Sequence, residues 1–265
     1  MAESTDGDTS AGSKSFETRA LALATRRTLK RSEVIARDLA EYIVDARLPA
    51  GARLPREKEM VEQLGVGRTT LREALRILET RGVITIRSGP GGGPVVRHPE
   101  PTDLTGALTL ILQFQRATLV EVLDARIWLE PIGARMAATH ITKAEVAHLE
   151  EINEEMRAAI GSSEESIMEA NQRFHRVIAG ATGNIVVQVF TETMMTVADS
   201  GVQELHHSKK FKQVAVAGHE EIIAALAAKD PDAVEEAMRK HVTEGKRRRV
   251  GENRDMMSRP LRWIQ

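Results

Sequence analysis

The segment Leu54–Val96 constrains the fold of this 265-residue chain more than any other stretch. Its first part, Arg56–Leu64, predicts a short helix that begins just after Pro55. A tight turn at Gly65 leads into a second predicted helix, Gly67–Arg81, in which apolar residues recur at helical spacing. That apolar stripe consists of Leu71, Leu75 and Leu78. Two short helices joined by so tight a turn predict a helix-turn-helix.

A small two-stranded wing is predicted to follow. Gly82 stands where a helix ends with a residue in the left-handed conformation. Val83–Arg87 is a β-branched run, Ser88–Gly93 is a glycine-rich tip, and Pro94–Arg97 returns as the second strand. The segment is therefore predicted to be a winged helix-turn-helix, an α+β unit.

The start of the second helix carries side chains suited to nucleic acid. Arg68 and Arg72 lie one turn apart, and two threonines, Thr69 and Thr70, lie between them. Arginine can bond a guanine edge with two hydrogen bonds, and threonine hydroxyls and helix-end amides suit phosphate oxygens. The alternative is a packing unit with a solvated charged face. The concentration of arginine, threonine and glycine at the helix start and in the wing favours DNA.

The same residues carry a family resemblance. Leu54-Pro55-x-Glu57-Lys58 followed by Leu64-Gly65-Val66-x-Arg68-Thr69-Thr70-x-Arg72-Glu73-Ala74-Leu75-x-x-Leu78 closely resembles the DNA-binding domain of GntR-family transcriptional regulators. The resemblance implies that operator DNA is contacted by Lys58, Arg68, Thr69, Thr70, Arg72 and Gly89. Two positions depart from the family pattern. Lys58 stands where many members have arginine. A lysine ammonium is a point charge, whereas an arginine guanidinium can form two parallel hydrogen bonds. Gly67 replaces the usual serine or threonine and so removes a helix-capping hydroxyl.

Composition narrows the protein class. The chain contains no cysteine, which excludes a disulfide framework and a thiolate metal site. No apolar run approaches the roughly 18 residues that indicate a membrane span. The first residues, Met1–Ser15, are small and polar rather than a hydrophobic signal sequence. We therefore expect a cytoplasmic protein with no membrane partner.

Charge divides the chain into a basic and an acidic part. Residues 26–99 contain 15 basic and 9 acidic side chains, a balance of +6, whereas residues 100–243 contain 13 and 22, a balance of −9. This asymmetry is typical of a DNA-binding head joined to a non-binding body. Arg26-Arg27 and Lys30-Arg31 fit phosphate contacts and a solvated segment equally well. The predicted parts are a disordered tail at 1–27, the winged helix-turn-helix at 28–98, an all-helical domain at 99–249 and a C-terminal tail at 250–265.

The second half is predicted to be an all-α bundle of six to seven helices. The predicted helices are Asp103–Arg116, Leu119–His140, Lys143–Ala159, Ser163–Ala181, Asn184–His207, Gln213–Ala228 and Pro231–Arg248. The basic run Lys246–Arg249 ends the last of them, where cations interact favourably with the helix dipole.

Three of the eight histidines fall into a metal-binding pattern. Asn171 and His175 lie one turn apart on one helix face. His219 and His241 each lie eleven residues from Asp230, so they come level in an antiparallel helix pair. Three imidazoles and an amide oxygen suit zinc, nickel or copper, although polar core or surface residues would show the same spacing. The remaining histidines that lack such pairing are predicted to lie at the surface: His140, His148, His206 and His207.

The second half also resembles the FCD ligand-binding domain of the FadR-type branch of the GntR family. In that branch Asp-x-x-x-His, a second histidine and a third 22 residues later supply metal ligands. In this chain the matching residues are Asn171, His175, His219 and His241, so the resemblance implies that they bind a divalent ion. Zinc is the first candidate, and nickel or another divalent ion is the alternative. Arg126 matches the family arginine that binds a carboxylate effector; on sequence alone, a surface pair with Glu130 is equally consistent. The family responds mostly to small organic acids and sugar acids, and a branch without metal binds acyl thioesters.

These features predict a ligand-responsive regulator of transcription that is not an enzyme. We expect a homodimeric repressor of a metabolic operon that binds double-stranded operator DNA with an inverted repeat and responds to an organic or sugar acid. A metal-dependent enzyme fused to a DNA-binding domain is the main alternative, but no His-Glu-x-x-His arrangement supplies its general base. An architectural protein would instead bind DNA regardless of sequence and ligand.

Overall fold

The computed structural model describes residues 30–89, 92–202, 205 and 207–262, and these fall into two compact units divided between Pro99 and Glu100. Within this part of the chain, none of the helices has the length and apolar character needed to span a bilayer. The predicted tail at 1–27, the pair Arg26-Arg27, His206 and the C-terminal Trp263 lie outside the described residues.

The first unit contains three helices and a hairpin. Helix α1 spans Arg31–Asp45, α2 spans Glu57–Leu64 and α3 spans Arg68–Thr80. Strands β1 (Ile84–Arg87) and β2 (Gly93–Val96) pair antiparallel, with Ile84 opposite Val96. The predicted winged helix-turn-helix is thereby confirmed, and each predicted boundary lies within about two residues of the observed one.

The core of this unit follows from the predicted apolar stripe. Leu71, Leu75 and Leu78 on α3 are buried against α1, and Met60 on α2 joins the same core. Gly65 ends α2 with φ of +61°, and Gly82 follows α3 with φ of +71°, so both turns use the left-handed conformation that glycine adopts without strain. The two glycines therefore set the directions in which α3 and the wing leave their predecessors.

The second unit is all-helical over its described residues. Its helices are α4 (Pro101–Phe114), α5 (Leu119–His140), α6 (Lys143–Ala158), α7 (Glu164–Gly180), α8 (Ile185–Val202), α9 (Lys209–Ala227), α10 (Pro231–Glu252) and the short α11 (Arg254–Met257). The predicted bundle is confirmed. The predicted helix through His207 ends at Val202, because Leu205, His207 and Ser208 already lie outside helical structure.

Five of these helices, α5, α6, α7, α9 and α10, position the site described below. Helix α5 packs along α10 and also against α8, while α9 packs between α10 and α6. The main core cluster draws on α5, α6, α7, α9 and α10, and Phe174, Leu149 and Ile222 are fully buried within it. The histidine-bearing faces of α7, α9 and α10 are thus held by a continuous apolar core.

The C-terminal segment differs from the predicted tail at 250–265. Helix α10 continues to Glu252, and Met257 and Leu261 are buried in a second apolar cluster. Leu261 N also donates to the Ala117 carbonyl at 2.8 Å. The basic run Lys246–Arg249, predicted to end the last helix, brings Arg249 into the last turn of α10. In the fold, Lys246 pairs with Asp124 and the helix continues through the run.

Candidate metal centre and DNA-binding surface

The start of helix α3 forms an exposed surface on the first unit. Arg68, Thr69 and Arg72 are exposed and line one shallow concavity, whereas Thr70 is half-buried. Lys58 is exposed on α2, and Gly89 lies at the wing tip with φ of +94°. Neither Lys58 nor Gly89 lines the concavity. The structure therefore groups three of the six predicted DNA-binding residues, while Thr70 is half-buried on the same helix, Lys58 lies on α2 and Gly89 lies at the wing tip.

Arg72 already has an anionic partner on this surface. Its Nε donates to Glu57 Oε2 at 2.8 Å, and that carboxylate raises the pKa of Arg72 further. Because both side chains reach solvent, such an ion pair is worth little and exchanges readily. The Arg72 guanidinium therefore remains available to another anion.

Three histidines converge inside the second unit as the sequence spacing predicts. His175 on α7, His219 on α9 and His241 on α10 offer ligand nitrogens that all lie within 4.8 Å of one another. The Nε2 atoms of His175 and His241 are 3.3 Å apart. Two ligands each about 2.1 Å from one ion lie roughly 3.4 Å apart at tetrahedral angles, so this spacing suits a shared ion.

His219 presents a lone pair that no described residue uses. Its Nδ1 lies 3.2 Å from Asn153 Oδ1, and the Asn153 amide is fixed because its Nδ2 donates to the Val216 carbonyl at 3.2 Å. Nδ1 therefore carries the proton, and the buried Nε2 has no hydrogen-bond partner among the described residues. The ring stacks on Phe174 with centroids 3.7 Å apart. An orphaned acceptor of this kind is what a metal ligand requires.

His175 is oriented by a buried carboxylate. Its Nδ1 lies 2.7 Å from Glu130 Oε2, which leaves Nε2 to face His241. Glu130 also accepts from Arg126 Nε, and both residues are buried. Burial alone would raise the pKa of Glu130, but the charges and hydrogen bonds of Arg126 and His175 hold it well below its usual range. A carboxylate behind a ligating imidazole is the common support of metal-binding histidines.

The imidazoles are electrically suited to a cation. Burial, followed by the neighbouring imidazoles, lowers the pKa of His219 well below its ordinary value. Burial likewise lowers the pKa of His241, with His175 adding to the effect. Both rings are therefore neutral near pH 7 and offer lone pairs rather than protons. The donor set fits a borderline divalent ion such as zinc.

Asn171 and Arg126 border the same space. Asn171 is buried one turn before His175, and both line a cavity of about 140 Å³. Arg126 also lines it. The sequence also allowed Arg126 to pair with Glu130 on the helix surface. The pair is present, but both side chains are buried. Apolar walls come from Leu123, Phe211 and Val214.

Three residues near the site were missed or misplaced by the sequence analysis. Glu130 and Asn153 orient two histidines from helices that carry no ligand, and only the i+4 spacing of Glu130 from Arg126 could have indicated one of them. His207, predicted at the surface, is only 2% exposed. It lies 2.9 Å from Glu164 Oε1 and accepts from Arg249 Nε, and both partners belong to other helices that the local sequence does not reveal.

Comparisons with known proteins agree with this architecture. Residues 31–92 match the family described as "Bacterial regulatory proteins, gntR family", and residues 121–244 match the FCD domain. The Glc operon transcriptional activator of Escherichia coli K12 is 33% identical over 218 residues, which cover 79% of this chain and 85% of that protein. The Exu regulon transcriptional regulator of the same strain is 31% identical over 212 residues, covering 78% and 80%.

A solved structure supports the same assignment. "Streptococcus agalactiae GntR" superposes with a TM-score of 0.65 at 26% identity and covers 82% of this chain and 99% of its own. The two matched domains contain the main features described above. The first contains the exposed arginines of α3 and the wing, and the second contains the three histidines. The relatives are regulators of transcription rather than enzymes. The chain belongs to the GntR family of bacterial transcriptional regulators, in the branch whose second domain is an FCD domain.

Proposed function

We propose that this regulator is a homodimeric repressor of a metabolic operon whose response to a small organic acid depends on a divalent metal. Two heads bind an inverted-repeat operator, and an acid bound in the FCD domain lowers their affinity for it. The observation that carries the proposal is the convergence of three imidazoles from α7, α9 and α10, two of which, those of His175 and His241, line one cavity.

His175, His219 and His241 would hold the ion, with Asn171 as a candidate fourth ligand. When bound, the ion supplies two positive charges and open positions at which a carboxylate can coordinate. Asn153 and Glu130 keep the ligand nitrogens of His219 and His175 pointed at the shared space. Arg126 fixes Glu130 and adds a cation to the cavity wall. Zinc is the first candidate, and nickel is the alternative that metal analysis distinguishes.

The ligand set explains how binding could be transmitted within the domain. The three histidines come from three different helices, so an ion and its bound acid link α7, α9 and α10. An effector changes an equilibrium only by as much as it prefers one arrangement over another. A ligand that prefers one packing of these helices therefore supplies a coupling free energy, and by linkage the operator weakens acid binding by the same factor.

Dimerisation has a candidate surface on the FCD domain. Helices α4 and α5 both pack against α8, and the three leave ten large apolar side chains exposed. They are Leu104, Leu110, Ile111, Phe114, Trp128, Leu129, Ile132, Ile185, Val186 and Phe190. An apolar surface of this kind is uncommon on a monomer. A second copy of the chain, bound through the same face, would cover it with twofold symmetry.

The decisive experiment combines metal analysis with operator binding. Purified protein, stripped of metal and reloaded with zinc or nickel, is titrated onto its upstream DNA with and without a panel of organic and sugar acids. We expect about one ion per chain and release of operator by at least one acid only when metal is present. His175→Ala, His219→Ala and His241→Ala should each lose metal and the acid response, whereas the exposed His148→Ala should keep both.

The direction of regulation is tested separately. One relative is described as an activator, so a reporter gene behind the operator must decide between repression and activation. Deletion of the regulator should raise reporter expression if it represses. Expression that falls on deletion would contradict the repressor assignment while leaving the metal site untouched. Full metal occupancy in all three histidine variants would instead refute the site.

A further inference from the structure

Arg249 is a buried cation that neither the metal site nor the DNA-binding surface uses. It lies in the last turn of α10, where a cation interacts favourably with the helix dipole. In the structure it is buried and lines the same cavity as His241 and Asn171. A charge taken out of water is costly unless it meets an opposite charge or hydrogen bonds. Its position at the cavity wall therefore needs an explanation.

The geometry of α10 directs Arg249 towards the histidine cluster. His241, Gly245 and Arg249 lie at positions i, i+4 and i+8 of the helix, and all three line the cavity. Gly245 has no side chain to fill the space between the other two. Arg249 Nη1 lies 3.5 Å from the position that a Cβ would take at Gly245. The guanidinium thus folds back over Gly245, in the direction of His241.

Two neighbours hold the guanidinium by its Nε and by its flat face. Nε donates to His207 Nε2 at 3.4 Å, and the guanidinium carbon lies 4.9 Å from the Phe211 ring centroid. His207 can accept because its Nδ1 faces Glu164 Oε1 at 2.9 Å and so carries the proton. Glu164 is itself fixed by an ion pair with Lys212. These contacts orient the group while using only Nε and the face.

The other cations of the cavity wall are already paired with carboxylates. Lys240 binds Glu221 and Arg248 binds Glu244, both at 2.7 Å, and Arg126 binds Glu130. Arg249 makes no carboxylate ion pair with any residue that the structure describes. Buried Asp199 and, to a smaller extent, Glu130 act on it through space, and burial raises the pKa of Asp199 above its ordinary value.

Arg249 nevertheless remains charged. Burial, and then the charge of Arg126, lowers the pKa of Arg249 to about 10, which is still well above neutrality. The cavity thus has, on one wall, a cation without a carboxylate ion pair among the described residues and, on another, the imidazoles of His175 and His241. A guanidinium with free Nη groups binds carboxylates through two parallel hydrogen bonds.

We propose that Arg249 binds a second anionic group of the effector, so that the cavity prefers a dicarboxylate to the monocarboxylate of equal carbon number. The inference rests on the proposed function, because the first carboxylate is assigned to the metal. It adds a specificity-determining residue outside the histidine motif, and it narrows the effector class from organic acids to acids with two anionic groups.

Calorimetry on the zinc-loaded full chain tests this directly. The probes are three pairs matched in carbon number: succinate and butyrate, glutarate and valerate, adipate and hexanoate. We expect at least one dicarboxylate to bind tenfold or more tightly than its partner. Arg249→Met should reduce that ratio to about one while zinc and monocarboxylate affinities stay within twofold. Arg248→Met, a neighbouring arginine already paired with Glu244, should leave the ratio unchanged.

Each contrary outcome has a distinct meaning. Equal affinities within every pair for the wild type, or an unchanged ratio in Arg249→Met, overturns the inference alone. If Arg249→Met loses its helical circular dichroism, the wild-type ratio and the more conservative Arg249→Lys, expected to retain part of the preference, decide the question. If zinc binds but no acid of any pair does, the inference fails, and if sugar acids also leave operator binding unchanged, the proposed function fails with it.

Discussion

At the scale of single residues, Gly67 leaves helix α3 without a side-chain N-cap. It precedes α3 with φ of −73° and ψ of 149°, a conformation open to any residue, and makes no side-chain cap. A Cβ at this position would meet only Thr70 Oγ1, at 4.0 Å. Gly67→Ser should therefore stabilise the head by about 0.5–1 kcal/mol, through a new cap and a less flexible unfolded chain.

The measurement can isolate the head because Tyr42, on α1, is the only tyrosine of the chain. Fluorine-labelled tyrosine reports urea unfolding of this unit alone. Gly51→Ser is the matched control: its φ of +88° disfavours any side chain, so that variant should lose stability. A Gly67→Ser midpoint at or below the wild-type value would contradict the capping argument.

Arg68 and Arg72 should determine which sequence is bound rather than whether DNA is bound at all. Both are exposed at the start of α3, so alanine there leaves the core intact. Each replacement should cost on the order of 1–3 kcal/mol of discrimination between operator and unrelated DNA. Footprinting competition measures this, with Arg81→Ala at the far end of α3 as control. Unchanged selectivity in both variants would refute the assignment of α3 as the recognition helix.

Asn171 is the residue at which this chain departs from its family within the site. If it ligates the ion, a neutral amide leaves more positive charge for an incoming acid than a carboxylate would. Metal and acid should then bind with positive coupling, each raising the affinity of the other by the same factor. Asn171→Asp should tighten zinc binding without acid and reduce that factor. Equal coupling in the two proteins, measured by paired zinc titrations, would eliminate the charge argument.

At the scale of helices, burial of the imidazoles on α9 and α10 predicts a pH-dependent domain. The pKa values of His219 and His241 lie well below the 6.5 expected for the unfolded chain. Each neutral ring thus contributes stability that is present above pH 6.5 and is lost as pH falls towards its folded pKa. The slope reaches about 1.4 kcal/mol per pH unit for each ring.

Urea unfolding of the metal-free protein between pH 5 and 7.5 measures this slope through tryptophan fluorescence, since Trp128 lies on α5. His219→Gln should flatten the dependence, whereas the exposed His148→Gln should leave it as in the wild type. A wild-type stability that is constant over this range would mean that the rings take up protons without unfolding.

Sequence periodicity located α9 and α10 to within about four residues at each end. It could not determine which side chains of neighbouring helices contact one another. The convergence of His219 and His241 was predictable because each lies eleven residues from Asp230. In an antiparallel helix pair, residues equally distant from the turn lie side by side. Asn153 and Glu130 lie on other helices, so their contacts with the histidines depend on tertiary packing. The burial of His207 has the same cause: its partners Glu164 and Arg249 lie on α7 and α10, far from it in sequence.

At the scale of the whole molecule, the apolar surface of α4, α5 and α8 should determine the oligomeric state. Phe114 is 80% and Trp128 is 67% exposed in the single chain. Phe114→Glu and Trp128→Glu should each shift sedimentation towards a monomer and weaken operator binding, since one head alone contacts one half-site. Val44→Glu, an equally exposed apolar position on α1, is the control. Dimers that persist in both variants would assign the interface to another surface.

The Nε2 of His219, which has no hydrogen-bond partner within the described part of the chain, has a consequence for how long the protein survives in a cell. A dry, unsatisfied acceptor costs on the order of 1–3 kcal/mol, and a ligand present at 100 times its Kd restores about 2.7 kcal/mol. If the proposed site binds an ion, the bundle without that ion would open more often and expose its chain to proteases. The abundance of the regulator would then follow the metal supply of its host, so an acid could be sensed only by cells with enough metal to keep the sensor.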